Sequence, residues 1–197
     1  MGKIFYLMGK SSSGKDTIFK KILENKELKL NTIILYTTRP IRAGETDGVE
    51  YFFVTEKEFG EFEQSGRLIE ARAYDTVHGI WRYFTVDDGQ VDFENKDYLV
   101  IGTLESYKRM KAYFGEKNLV PVYIDLDDGI RLLRGLTREQ EQEMPRYAEM
   151  CRRFLADEQD FSEEKLKEAG IERKFENDSL ERCMEEITEY IKQYIKN

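Results

Sequence analysis

Gly9-Lys10-Ser11-Ser12-Ser13-Gly14-Lys15-Asp16-Thr17 lies between a short apolar run, Ile4–Met8, and an amphipathic stretch, Lys15–Asn25. This strand–loop–helix order matches the Walker A pattern as far as the lysine. The glycines let the backbone curl, so that successive N–H groups turn inward toward phosphate oxygens, and the helix N-terminus adds positive dipole character. Lys15 then acts as a point charge on the β- and γ-phosphates. All nine residues are candidate phosphate-loop contacts. Asp16 stands where serine or threonine is usual. A carboxylate there can hold Mg²⁺, directly or through water, or it can repel phosphate. Thr17 comes one residue later than the usual metal hydroxyl. The expected magnesium ligand is therefore Asp16 or Thr17.

Outward from the loop, Ile4–Met8, Thr32–Tyr36, Tyr98–Ile101 and Val120–Ile124 are nearly continuous apolar runs, as expected of strands covered on both faces. They alternate with charged amphipathic stretches, the rhythm of an α/β protein with a largely parallel sheet. Ile18, Ile22 and Leu23 share one face of a helix over Lys15–Asn25. Leu180, Cys183, Met184, Ile187, Ile191 and Tyr194 mark a last helix, which Asp178 or Ser179 can cap. Two stretches break the rhythm. From about Tyr36 to Thr85 the chain is rich in Tyr, Phe and Thr and reads as a β-rich insertion with one helix near Glu56–Ser65. From about Asp127 to Cys151 it offers little to bury beyond Leu132, Leu133 and Leu136, and so reads as mobile.

A chain of 197 residues suits one domain with a sizeable core. Lys+Arg 31 against Asp+Glu 39 gives a net charge of −8, which argues against general nucleic-acid binding. It leaves room for one basic pocket. No apolar run approaches the roughly 20 residues that cross a bilayer. Met1-Gly2-Lys3 leads straight into the first strand without a cleavage pattern, so a cytosolic protein is expected. Cys151, Cys183 and the single histidine, His78, have no metal-ligand spacing, which argues against a zinc site.

The insertion opens with Tyr36-Thr37-Thr38-Arg39-Pro40-Ile41-Arg42-Ala43-Gly44-Glu45-Thr46-Asp47-Gly48-Val49-Glu50-Tyr51. Two arginines three apart, held by a Gly-Glu turn and followed by a tyrosine, suit a second phosphate, because guanidinium forks match phosphate geometry. Here the sequence resembles the guanylate kinase family. The run Thr37-Thr38-Arg39-x-x-Arg42-x-Gly44-Glu45-x-x-Gly48-x-x-Tyr51-x-Phe53-Val54 is similar to that family's monophosphate-binding segment, and Leu68-Ile69-Glu70 follows in the family's order. The resemblance implies ATP-dependent phosphorylation of GMP, and of dGMP, with Mg²⁺. Arg39, Arg42 and Tyr51 would hold the GMP phosphate. Glu70 would accept from guanine N1 and N2, adjacent donors that adenine lacks.

It also implies a parallel-sheet P-loop core over about 1–34, 86–126 and 152–197, a GMP-binding insertion over about 35–85 and a helical lid over about 127–151. After Glu70 the sequence departs from the family. Alignment on Gly79 would put His78 and Ile80 at the guanine contacts. Alignment on Tyr83 puts Tyr83 and Thr85 on one strand face and is preferred, which leaves His78 structural. Thr103 and Glu105 occupy the neighbourhood of the family's Asp-x-Asp unit, and Asp16 is a candidate replacement. Arg131, Arg134 and Arg138 resemble the lid entry. Arg146, Arg152 and Arg153 follow on a helix where the family carries a further catalytic arginine. Asn177-Asp178-Ser179-Leu180 resembles the turn near the family's adenine pocket, which makes Asn177 a candidate ATP contact. Two rivals stand beside this reading. One is a catalytically weak binding module, which the retained Gly14-Lys15 and lid arginines argue against. The other is a kinase for another phosphorylated acceptor, which Arg39, Arg42, Tyr51 and Glu70 argue against.

Overall fold

A computed structural model describes residues 2–76 and 79–195; His78 lies outside the described residues. The first strand, β1 (Ile4–Gly9), is buried along its whole length. Its side chains alternate between two apolar layers. Ile4, Tyr6 and Met8 enter one cluster, while Phe5 and Leu7 enter the other. A strand with no charged side chain over this length needs a cover on each face, and the helices supply both.

Along the chain follow α1 (Lys15–Glu24), β2 (Asn31–Thr32), β3 (Tyr36–Thr37), β4 (Phe52–Phe53), α2 (Glu56–Gln64), β5 (Leu68–Thr76), β6 (Gly79–Val86), β7 (Tyr98–Ile101) and α3 (Leu104–Phe114). Then come β8 (Leu119–Asp125), α4 (Asp128–Gln140), α5 (Tyr147–Asp160), α6 (Glu163–Glu168), β9 (Lys174–Glu176) and α7 (Leu180–Lys192). The expected α/β architecture is present: a five-stranded parallel sheet of order β2-β7-β1-β8-β9. Ile18 and Ile22 of α1 with Cys183, Ile187 and Ile191 of α7 cover one face. Leu104, Tyr107 and Met110 of α3 with Leu166 of α6 cover the other. Ser179 caps α7 by accepting from Arg182 N–H. That helix ends at Lys192, so Tyr194 lies beyond it and packs edge-on against Phe5.

The run Thr32–Tyr36 is not one strand, as its apolar character suggests. Asn31–Thr32 closes the edge of the parallel sheet, and Tyr36–Thr37 begins a second sheet of order β4-β3-β6-β5. The residues between serve two cores at once. Ile33 is buried in the main core, whereas Tyr36 packs with Phe59 and Phe84 of the second sheet and α2. At the crossing, Gln90 stands in for a neighbouring strand: its amide oxygen accepts from Ile34 N–H and its amide nitrogen donates to Ile34 C=O.

β5 and β6 form a long antiparallel hairpin pairing Glu70 with Thr85, Arg72 with Tyr83 and Tyr74 with Trp81. Residues two apart share a face, so these six side chains lie on one side of the hairpin. α4 and α5 occupy the arginine-rich stretch, and α5 runs unbroken through residue 151. No helix among the described residues is long and apolar enough to cross a membrane.

Candidate active site

β1 delivers the chain into the phosphate loop, and two left-handed residues, Ser12 (φ 64°) and Gly14 (φ 89°), turn it into α1. Gly14 occupies the N-cap without any side-chain cap, so the first-turn N–H groups remain open to an anion. Glycine is required there on two counts. A positive φ strains other residues, and a Cβ would overlap the Asn177 amide nitrogen. Asn177 is buried and donates to Ser13 C=O at 2.7 Å, fastening the loop from the start of α7. Arg134 reaches the Asn177 carbonyl at 3.3 Å. Lys10 turns away from the loop onto Glu158 of α5, and Ser11 N–H donates to Asp157 at 2.6 Å.

Lys15 and Asp16 open onto a cleft of about 940 Å³ between the two sheets. Gly102 and Thr103, at the end of β7, also line it, and the far wall carries Arg42, Tyr51, Arg72, Tyr74, Trp81 and Tyr83. The Asp16 carboxylate is largely exposed and lies 3.5 Å from Lys15 Nζ. Thr17 is exposed on α1 and is not part of the cleft wall. Thr103 faces the cleft while capping α3, accepting from Ser106 N–H. Glu105 points outward and pairs with Arg109.

The two clamp arginines have different surroundings. Arg39 is buried and donates twice to Glu45, at 2.6 and 2.7 Å, and once to Pro40 C=O. Its guanidinium lies 5.2 Å from the ring centres of both Tyr51 and Phe53. Arg42 lines the cleft and its guanidinium makes no hydrogen bond to a described residue, but its backbone N–H also donates to Glu45. One carboxylate therefore holds both. Hydrogen bonds from Arg39 bring the Glu45 carboxyl down to about 2.

Glu70 of β5 and Thr85 of β6 are buried and are not part of the cleft wall. Arg72 Nε donates to Glu70 Oε2 at 3.1 Å and Thr85 Oγ1 donates to Glu70 Oε1 at 2.9 Å. Burial alone would lower the Arg72 pKa, but the Glu70 charge and the neighbouring Tyr6 hold it above the ordinary arginine value. Tyr83 stands between Tyr51 and Tyr74, with ring centres 5.6 and 5.7 Å away. Ile80 is exposed near the hairpin tip and lines no part of the cleft. The structure brings Glu70, Thr85 and Tyr83 onto one hairpin face with Arg72, a residue the sequence reading passed over.

Apart from Arg134, the arginines on and beside α4 and α5 divide into three groups. Arg131 is fully buried: it donates to Ser11 C=O, pairs with Asp128, Asp157 and Glu158, and stacks on Phe154. Arg152 points to solvent and pairs with Glu149. Arg138 and Arg153 line a small hollow against Ser11 and Ser12, and Arg153 also reaches the main cleft. Arg146 joins Arg138 and Arg153 along a shallower depression of about 730 Å³. The helical phase of α5 could have separated its two adjacent arginines. Arg153 lies four residues after Glu149 and four before Asp157, on the loop-facing side, whereas Arg152 is rotated about 100° away.

A family model described as guanylate kinase matches residues 1–194. A guanylate kinase of Malacoplasma penetrans is 29% identical over 184 residues, covering 90% of this chain and 82% of that one. One of Thermotoga maritima is 30% identical over 145 residues, covering 71% of this chain and 68% of that one. The crystal structure of guanylate kinase from Anaplasma phagocytophilum, 20% identical, covers all of this chain and 88% of its own with a TM-score of 0.65, a likeness of fold. With Lys15 of the phosphate loop and Arg42 of the Thr-Thr-Arg-x-x-Arg segment lining one cleft, and a family match over residues 1–194, the chain belongs to the guanylate kinase family.

Proposed function

We propose that this protein transfers the γ-phosphoryl group of ATP to the 5′-phosphate of GMP, giving ADP and GDP. One observation carries the reading: a single cleft is lined both by the phosphate-loop lysine and by Tyr51 with a clamp arginine whose guanidinium makes no hydrogen bond to a described residue. A GMP phosphate oxygen attacks the γ-phosphorus in line and ADP leaves. Such a transfer needs positioning and charge neutralisation rather than a covalent intermediate. Lys15 and the open amides at the start of α1 hold the donor phosphates. Arg42 and Tyr51 hold the acceptor phosphate, with Arg39 and Glu45 fixing the turn that presents them. Arg138 and Arg153 approach from the helical side and offset charge developing on the transferred group. Arg131, Arg134 and Asn177 act on the loop itself by holding its carbonyls and their neighbours. Tyr83, Thr85 and Glu70 build the base end.

Magnesium fits the rim beside Lys15, since Mg²⁺ is usually held by one or two carboxylates plus substrate phosphates. Asp16 is exposed in the cleft wall and Thr17 is not. When bound there, the ion would neutralise phosphate charge.

Lys15→Ala should lower kcat by about 100-fold or more, the scale for removing one preorganised charge-stabilising donor. GMP affinity measured by calorimetry should stay near the wild-type value. An equal loss of ATP and GMP affinity would contradict two separate phosphate sites.

A further inference from the structure

Both backbone groups of Ser11 are held by side chains of the two arginine-rich helices. Its N–H donates to Asp157 of α5 at 2.6 Å, and its C=O accepts from Arg131 Nε of α4 at 3.1 Å. Two residues on, Asn177 fastens the Ser13 carbonyl. Ser12, between these anchors, is left-handed at φ 64°, a conformation that residues other than glycine rarely adopt. Such a residue persists where its surroundings over-determine it. The anchors from α4 and α5 are also tied to one another. Arg131 donates to Asp157 at 3.4 Å and to Glu158 at 3.0 Å, and Lys10 donates to both Glu158 oxygens at 2.7 and 2.8 Å. Arg131 is fully buried, and Lys10 and Asp157 are nearly so.

Lys10, Asp157 and Glu158 line no part of the cleft that holds Lys15 and Arg42. Whatever they contribute passes through other residues. Arg153 does reach that cleft, and it shares a small hollow with Ser11 and Ser12. It lies four residues before Asp157 on α5, about one helical turn. The bond that fixes the loop from α5 therefore also fixes where Arg153 stands relative to the loop.

We infer that Asp157, braced by Arg131, Lys10 and Glu158, is a positioning residue for phosphoryl transfer. It locks the first half of the phosphate loop to the helix that carries Arg153, so that donor phosphates and arginine meet at a preset separation. A misplacement of about 1 Å can cost about 100-fold in rate. Such an anchor acts on turnover and on the donor site and leaves the acceptor site alone. The inference rests on the proposed transfer from ATP to GMP and adds to it a residue outside the cleft.

Two substitutions separate holding from folding. Asp157→Ala removes the acceptor for Ser11 N–H, whereas Asp157→Asn keeps an oxygen that can accept it and gives up the charge. The experiment measures kcat, both Michaelis constants and calorimetric affinities for ADP with magnesium and for GMP, well below each variant's thermal midpoint. Asp157→Ala should lower kcat and ADP affinity by about 10-fold or more, the worth of one charged hydrogen bond, with GMP affinity within about 2-fold of wild type. Asp157→Asn should lie between the alanine variant and wild type. Glu158→Gln should shift the same quantities in the same direction by less, since Lys10 and Arg131 keep an acceptor.

Wild-type kcat and ADP affinity in Asp157→Ala, with only the thermal midpoint lowered, would overturn the inference. So would equal losses of ADP and GMP affinity, or an asparagine variant no better than the alanine one. If Asp157→Ala fails to fold, Asp157→Asn and Glu158→Gln decide by the same split. Wild-type binding of ADP and GMP without GDP formation would refute the activity, and the anchor would then stand or fall on the ADP affinities. Absence of ADP binding by the wild type would overturn both.

Discussion

Arg39 and Arg42 are three residues apart and share the Glu45 carboxylate, one through its guanidinium and the other through its backbone. Their substitutions should therefore differ in kind. Arg42→Ala removes a guanidinium that meets no described partner, so it should raise the GMP Michaelis constant by about 10–100-fold, the worth of one charged hydrogen bond. The thermal midpoint should hardly move. Arg39→Ala should raise the same constant and also lower the midpoint, because it strips a buried ion pair from the turn. Steady-state kinetics beside thermal denaturation checks both. Indistinguishable behaviour of the two variants would contradict the division between clamp and support. The carboxyl itself gives a pH prediction. Arg39 lowers Glu45 from its ordinary 4.5 to about 2, so its stabilisation is fully present above pH 4.5 and is lost as pH falls through about 2. Glu45→Gln should be less stable than wild type near neutrality, with a gap that narrows below pH 4.5 and closes near pH 2. Urea midpoints at stepped pH would show it, and a gap constant down to pH 2 would argue against the pair.

The strand–loop–helix unit of β1, the phosphate loop and α1 depends on a contact from far along the chain. Gly14 and Asn177 touch where a Cβ cannot fit, and Asn177 fastens the Ser13 carbonyl. Gly14→Ala should combine left-handed strain of about 1–2 kcal/mol with overlap against the amide. Asn177→Ala should cost about 1–3 kcal/mol for a buried hydrogen bond left unmade. Removing the amide also removes the overlap, so the double variant should be destabilised by less than the sum of the two. A double-mutant cycle from denaturant unfolding measures that coupling, and strict additivity would mean the contact is not felt. β1, β7 and β8 were legible because they are buried on both faces over most of their length and so are nearly continuous apolar runs. Thr32–Tyr36 misled for a related reason: its apolar residues enter two different cores. The site was legible where one local motif makes it, as in the phosphate loop and the Arg39–Tyr51 segment. It was not legible where partners arrive from a distance. Arg131 reads as a lid arginine, yet Asp157 and Glu158, 26 and 27 residues on, draw it into a buried network with the loop carbonyl. Arg72 was passed over because nothing local marks an arginine held by the buried carboxylate two residues earlier.

Over the whole molecule, a chain of net charge −8 surrounds a cleft whose wall includes Lys15, Arg42, Arg72 and Arg153. An anionic exterior with a cationic interior suits small polyanions that enter the cleft and disfavours long phosphate backbones. The parallel sheet presents the loop, the second sheet presents the clamp and base end, and α5 brings Arg153 toward the space between them. The function proposed for this space is to join one ATP to one GMP. Initial rates of nucleoside diphosphate formation, with ATP and magnesium present and either GMP or AMP as acceptor, test it most directly. With GMP, ADP and GDP should form in equal amounts, and with AMP the rate should be lower by about 100-fold or more, as expected where buried polar groups would be left unpaired. Phosphorylation of AMP as readily as GMP, or no GDP at all, would contradict it.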